Sequence, residues 1–213
     1  DEAGADLLIG LPGSHSKWVE VADGCIVHFD TFMTGEVFAV LSEHSILGRT
    51  QQRGGSFDDE AFDRGVQVAL SADGETGVLS TMFSARSLGL TGALSATAQP
   101  DYLSGLLIGH ELSALASVLR HRRNSVHLPS IILIGNAQLC TRYSRALDAC
   151  GFARVALVEQ ATERGLWQLA LAAVVEADDI GDGRHSYWAL RHPSPRPDFH
   201  HRDAFMLDWP KKA

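Results

Sequence analysis

Residues 6–29 read DLLIGLPGSHSKWVEVADGCIVHF, and this stretch decides the fold. The apolar run at 6–11 stops at Pro12-Gly13, as a short buried strand does before a turn. After the polar knot Ser14-His15-Ser16-Lys17, residues 18–29 alternate apolar and polar side chains on either side of Ala22-Asp23-Gly24. Asp-Gly between alternating runs is a strong short-range hairpin signal. The chain therefore opens with a strand, a tight polar link and a hairpin.

Further along, Thr34-Gly35-Glu36 precedes near-helical spacing over 37–41. Gly54-Gly55-Ser56 marks a loop, with Ser56 or Asp58 placed to cap a helix running to about Leu70. A second helical stretch is expected over 77–88. Asp101 is expected to cap a longer helix in which Leu103, Leu106, Leu107, His110, Leu112, Leu115 and Leu119 keep a 3.6-residue period. Its basic end, Arg120-His121-Arg122-Arg123, suits the negative pole of a helix. Pro129 then opens a strand at 130–134, closed by Gly135-Asn136, and a helix follows over 137–150 until Gly151. A strand at 154–158 and a helix at 162–175 complete the pattern. This order implies an α/β fold, and the hairpin makes its sheet mixed. The texture changes near Glu176, so the chain divides into residues 1–176 and an irregular Pro- and His-rich tail at 177–213.

The 213 residues are 45% apolar and 21% charged, ordinary for a globular chain. Eighteen basic against 26 acidic residues give a net charge of −8, so no basic footprint points to nucleic acid or an anionic membrane. The longest uncharged apolar runs considered, near 130–134 and 166–175, are shorter than the ~20 residues of a membrane span. Cys25, Cys140 and Cys150 are odd in number and widely spaced, which disfavours a disulfide framework and suits a reducing cytoplasm. Cys140 and Cys150 fall on one expected helix as core thiols. Asp1 in place of Met suggests a processed, trimmed or incomplete product, and no signal peptide is visible.

The stretch Gly13-Ser14-His15-Ser16-Lys17 sets hydroxyls, an imidazole and an ammonium in one turn, a composition able to cradle an anion. A solvated turn is the plainer reading. It is not a Walker A loop, which needs glycine directly before Lys17 and a hydroxyl after it. Gly135-Asn136 ends a buried strand and starts a helix, where open α/β sheets bind nucleotides; a simple cap is the alternative. Gly105 and Gly109 stand four apart in the long helix, each costing roughly 1 kcal/mol against alanine. Close backbone packing is the default compensation, and room for a flat ligand the other. His110 and Glu111 are adjacent, hence on different helix faces, and are not read as metal ligands. The tail's His200-His201 and Asp203 lack metal-site spacing.

Several segments act jointly. They are 11–18 (LPGSHSKW), 31–36 (TFMTGE), 44–47 (HSIL), 83–86 (FSAR), 101–111, 133–136 (LIGN) and 164–167 (RGLW). In order and spacing they resemble the 2-dehydro-3-deoxygalactonokinase family, sugar-acid kinases of the actin-like (sugar kinase/Hsp70) superfamily. The resemblance implies a ribonuclease-H-like α/β fold, with ATP and Mg2+ as cofactors. It also implies phosphorylation of 2-dehydro-3-deoxy-D-galactonate at its 6-hydroxyl. By that likeness Gly13, Ser14, His15, Ser16 and Lys17 form the second phosphate hairpin, and Gly135 and Asn136 the adenosine motif. Thr34, Glu36 and Arg86 become sugar-acid or interdomain contacts. The family's first phosphate motif, Asp-x-Gly-Thr-Thr-Asn-like, is not matched, and its general base is expected upstream of Asp1. The chain thus reads as the nucleotide-binding portion of such a kinase. The competing reading is a non-catalytic actin-like nucleotide-binding domain. Expected partners are a small sugar acid and ATP.

Overall fold

The computed structural model describes residues 7–123, 128–152, 155–158, 161 and 164–167. Strands β1 (Leu7–Leu11), β2 (Ser16–Ala22) and β3 (Cys25–Phe32) form an antiparallel meander. Asp23 and Gly24 turn β2 into β3 with φ of 50° and 75°. Both central residues with positive φ make this a primed turn, whose twist matches the flanking strands. Strands β4 (Ser130–Ile134) and β5 (Val155–Val158) add in parallel beyond β1, giving the order β3-β2-β1-β4-β5. The expected mixed sheet is what forms. Gly10 faces Trp18 across the β1–β2 pair, and a Cβ there would come within 2.6 Å of the indole. Glycine at that point makes room for the largest side chain of the core.

Helices α1 (Thr34–His44), α2 (Asp59–Leu70), α3 (Val78–Thr81), α4 (Ser84–Leu90) and α5 (Gln99–Arg123) lie between β3 and β4, and α6 (Ala137–Ala149) follows β4. Asp58 caps α2 by accepting a hydrogen bond from the Ala61 amide at 2.9 Å, resolving the choice with Ser56. The helix expected over 77–88 is two short helices. Thr81 bonds back to the Gly77 carbonyl at 3.1 Å, and Ser84 to that of Thr81 at 2.6 Å. Such side-chain bonds compete with the helix ladder. Asp101 is not the cap of α5, which starts two residues earlier with Pro100 tolerated in its first turn. The Asp101 carboxylate instead accepts from the Asp58 amide at 3.0 Å and lies 3.3 Å from Arg142 of α6.

α5 is the shared spine. Its carboxyl-terminal half packs Leu112, Leu115 and Leu119 against Leu8, Trp18, Ile131 and Leu133 of the sheet and Tyr143 and Leu147 of α6. Its amino-terminal half packs Tyr102, Leu103 and Leu106 with Ala61 and Ala69 of α2 and Ala85 of α4. By length and composition α5 could cross a bilayer, contrary to the sequence expectation, but 72% of that window is buried within the fold. Core burial explains its apolarity. At its end Arg122 pairs with Glu20 at 2.7 Å and with both oxygens of Asp30 at 2.7 and 2.8 Å, fixing the helix to β2 and β3.

The glycines of α5 are explained by packing. A Cβ on Gly105 would strike the Phe62 carbonyl of α2, one on Gly65 would strike that of Tyr102, and one on Gly109 would come 2.7 Å from the Ala69 methyl. Cys140 is buried, and burial pushes the Cys150 thiol up to about 11. Most of the helix expected at 162–175, and the whole tail at 177–213, lie outside the described residues. Gly105→Ala should lower unfolding stability by about 1–3 kcal/mol, the usual cost of overpacking. Urea unfolding with an unchanged midpoint would show that α2 and α5 separate without strain.

Candidate functional site

Strands β1, β3 and β4 run in the same direction, so their carboxyl ends share one edge of the sheet. Three of the sequence-predicted groups meet there. Pro12-Gly13-Ser14-His15 links β1 to β2, Thr34-Gly35-Glu36 starts α1 directly after β3, and Gly135-Asn136 links β4 to α6. Gly35 packs on the first turn so closely that a Cβ would strike the Gly13 carbonyl and approach the Ser14 Cα to 2.8 Å. The Glu36 amide donates to the Ser14 carbonyl at 2.9 Å, and the Glu36 carboxylate pairs with the His15 ring. On the other side, a Cβ on Gly135 would lie 3.3 Å from the Pro12 carbonyl oxygen. Asn136 caps α6, its Oδ1 accepting from the Leu139 amide at 3.2 Å. The cap accounts for one amide of the first turn; a helix start presents several, with the positive pole of the helix behind them.

The turn's side chains divide by direction. Ser14, His15 and Lys17 are exposed, and Lys17 Nζ reaches the His15 carbonyl at 3.4 Å. Ser16 is fully buried. Its hydroxyl lies 2.7 Å from that of Tyr143 on α6, so any contact of Ser16 with a ligand would run through its backbone. Arg86 is not gathered with the others. It sits on α4, with Nη1 donating to the Ile46 carbonyl at 3.2 Å.

Beneath the turn lies a carboxylate that sequence reasoning did not include. Glu111 of α5 is buried; Trp18 Nε1 donates to its Oε1 at 2.7 Å, and the Tyr143 hydroxyl to its Oε2 at 2.8 Å. The Thr34 and Ser16 hydroxyls lie close enough to favour its charged form. Burial holds the Glu111 carboxyl above its ordinary range, opposed by the neighbouring Thr34, Trp18, Tyr143 and Ser16 side chains. The Tyr143 phenol is pushed up by burial and by the neighbouring carboxylate. His110 does face away, with Nε2 2.7 Å from the Thr81 hydroxyl, and burial lowers its pKa. One signal for Glu111 stood in the sequence. Positions 103, 107, 115 and 119 are leucines at helical spacing, and the charged residue at 111 occupies the same stripe.

Among the described residues no group of three or more His, Cys, Asp or Glu side chains could hold a metal ion. The fold and site define a mixed α/β protein in which two turns meet where parallel strands end. Comparison with known proteins identifies its family. The profile of the 2-keto-3-deoxy-galactonokinase family matches residues 1–169. A Rhizobium meliloti (strain 1021) protein assigned as a 2-dehydro-3-deoxygalactonokinase is 34% identical over 169 residues, covering 78% of this chain and 52% of that protein. The 2-dehydro-3-deoxygalactonokinase of Escherichia coli (strain K12) is 31% identical over 144 residues, covering 68% and 46%. A crystal structure of a Sinorhizobium meliloti protein with the same assignment superposes with a TM-score of 0.69 at 32% identity, covering 81% of this chain and 56% of that one. The chain belongs to the 2-keto-3-deoxy-galactonokinase family. It spans about half the length of the curated relatives it matches.

The buried carboxyl gives a pH test. An acid whose pKa is raised by folding keeps its proton to higher pH in the folded chain than in the unfolded one. Its contribution to stability is therefore lost as pH rises from the ordinary carboxylate range through the raised value. The melting temperature of the native chain, relative to that of Glu111→Gln, should fall as pH rises above the ordinary carboxylate range. A difference that grows with pH would mean Glu111 is ionised more readily in the folded state.

Proposed function

We propose that this chain is the nucleotide-binding portion of a kinase that uses ATP to phosphorylate 2-dehydro-3-deoxy-D-galactonate at its 6-hydroxyl. The observation that carries the reading is the convergence of the Pro12–Lys17 turn with the Gly135-Asn136 turn at the ends of adjacent parallel strands. Phosphates favour such a place because backbone N–H groups and a helix start point at it. Family membership supplies the reaction class, and the order β3-β2-β1-β4-β5 with β2 antiparallel supports a ribonuclease-H-like, actin-like domain over 1–176. A cytoplasmic setting fits a metabolic kinase.

In this reading the backbone of Gly13, Ser14, His15 and Ser16 lines the phosphates. The Ser14 hydroxyl donates to a phosphate oxygen, and the Lys17 ammonium supplies positive charge. Glu36 keeps His15 against α1 and so holds the turn open toward the ligand. Gly135 allows the adenosine side to approach the β4 end, and Asn136 fixes the first turn of α6 beside it. Thr34 acts inside the fold through Glu111, while Arg86, bonded to Ile46, is the weakest member of the sugar-acid set. Mg2+ would accompany the nucleotide, its ligands coming mainly from phosphate oxygens and water, and would neutralise phosphate charge. Phosphoryl transfer depends on positioning and charge stabilisation rather than on covalent chemistry by the protein.

Mg-ADP should bind the chain weakly, and the double substitution Ser14→Ala with Lys17→Ala should weaken it about tenfold or more by calorimetry. Unchanged affinity would remove the turn from the site. Coupled ADP release with 2-dehydro-3-deoxy-D-galactonate tests the reaction. Nucleotide binding with no turnover in the full-length protein would favour a non-catalytic nucleotide-binding domain.

A further inference from the structure

We infer that Glu111 and Tyr143 are positioning residues for the phosphate turn, relaying the alignment of α5 and α6 to it through Ser16; this rests on the nucleotide reading above. The relay is continuous in the structure. Glu111 Oε1 takes the Trp18 indole proton from β2, and Oε2 takes the Tyr143 phenol proton from α6, at 2.7 and 2.8 Å. With its proton committed to the carboxylate, the Tyr143 oxygen faces the Ser16 hydroxyl at 2.7 Å. Ser16 and Trp18 are alternate residues of β2, so both point inward, and the exposed Lys17 lies between them. Thr34, which opens α1 beside the turn, lies close enough to the carboxyl to favour its charged form. β2 and α6 are thus tied to one carboxyl group.

A residue that only supports the core would need none of this. A leucine at 111 would continue the stripe of 103, 107, 115 and 119, and burying a carboxyl there costs desolvation that apolar packing avoids. What the carboxylate adds is direction: two convergent donors fix a rotation of β2 against α6 that nondirectional packing does not specify. The groups so held lie directly under the turn, away from the ion pairs at the far end of α5.

The test compares Tyr143→Phe, Glu111→Leu and Glu111→Gln with Val66→Ala, a core truncation outside the relay. Thermal melts and the Kd for Mg-ADP are measured on each full chain, the latter well below the melting temperature. Tyr143→Phe keeps the ring and should fold, yet bind ADP roughly tenfold more weakly. Glu111→Leu should lose at least as much. Glu111→Gln should recover to within about threefold, because its carbonyl accepts from Trp18 while its amide donates to Tyr143, whose proton turns to Ser16. Val66→Ala should bind as the native chain does despite a lower melting temperature. Native affinity in Tyr143→Phe would overturn the relay, as would equal losses in Tyr143→Phe and Val66→Ala. A native chain that binds no ADP would overturn the nucleotide reading itself, a result distinct from either.

Discussion

One buried carboxylate organises the chain. Glu111 lies in the core between α5 and the sheet and accepts hydrogen bonds from a strand residue, Trp18, and a helix residue, Tyr143. Removing one hydrogen-bond partner of a buried polar group costs about 1–3 kcal/mol because the group is left unsatisfied. The packing around it is arranged to accept the group. Gly10 clears space for the indole that donates to it, and Leu8, Leu112 and Leu133 close the same cluster against water. The carboxyl is therefore held by geometry that the strands, α5 and α6 must all satisfy together. A shift of one of them breaks a bond as well as a contact.

The helical layer depends on α5 in a different way. Its grip on α2 is steric, with Gly65 and Gly105 allowing each backbone to touch the other. Polar struts then fix the angle. Asp101 joins the start of α2 to Arg142 of α6, whose guanidinium lies over the Phe57 ring at 4.4 Å. Arg145 of the same helix bridges Asp59 and Asp63 of α2. α6 is consequently tied to the sheet through Tyr143 and to the helical layer through its two arginines. Its amino terminus, where Asn136 sits, inherits both constraints. The recess lies between parts whose mutual position is fixed on several sides.

Much of this was legible in the sequence, and the failures have physical reasons. Alternation and Asp23-Gly24 gave away the meander, because strand period and primed-turn chemistry are local. The Gly135-Asn136 break was equally local. The split of 77–88 was missed because Thr81 and Ser84 fit a helix by pattern, and their backbone-directed hydroxyls act only once placed. Asp101 looked like a cap because an acid before leucines usually is one; its partners, Asp58 and Arg142, are distant in sequence. For the site, spacing could nominate Gly13–Lys17 but not the inward rotation of Ser16, which Tyr143 fixes from 127 residues away. Glu111 was visible as a polar residue in an apolar stripe, yet its donors, Trp18 and Tyr143, come from two other elements. Sequence periodicity locates faces; it does not say which faces meet.

The turn and the core meet through the pleat of β2. Burial along that strand runs inward at Ser16, Trp18 and Glu20, with Lys17 outward between the first two. Successive side chains of a strand point to opposite faces. One residue of Ser16-Lys17-Trp18 can therefore face solvent and a ligand while its neighbours are locked beneath. The inward pair ends on Tyr143 and Glu111, and the next inward residue, Glu20, ends on Arg122 and Arg123. β2 is thus pinned at three alternate positions to helices α5 and α6. A one-residue slip in register would turn all three anchors outward and bury Lys17 without a partner. The alternation that makes the strand also fixes which side chains beside the turn face solvent.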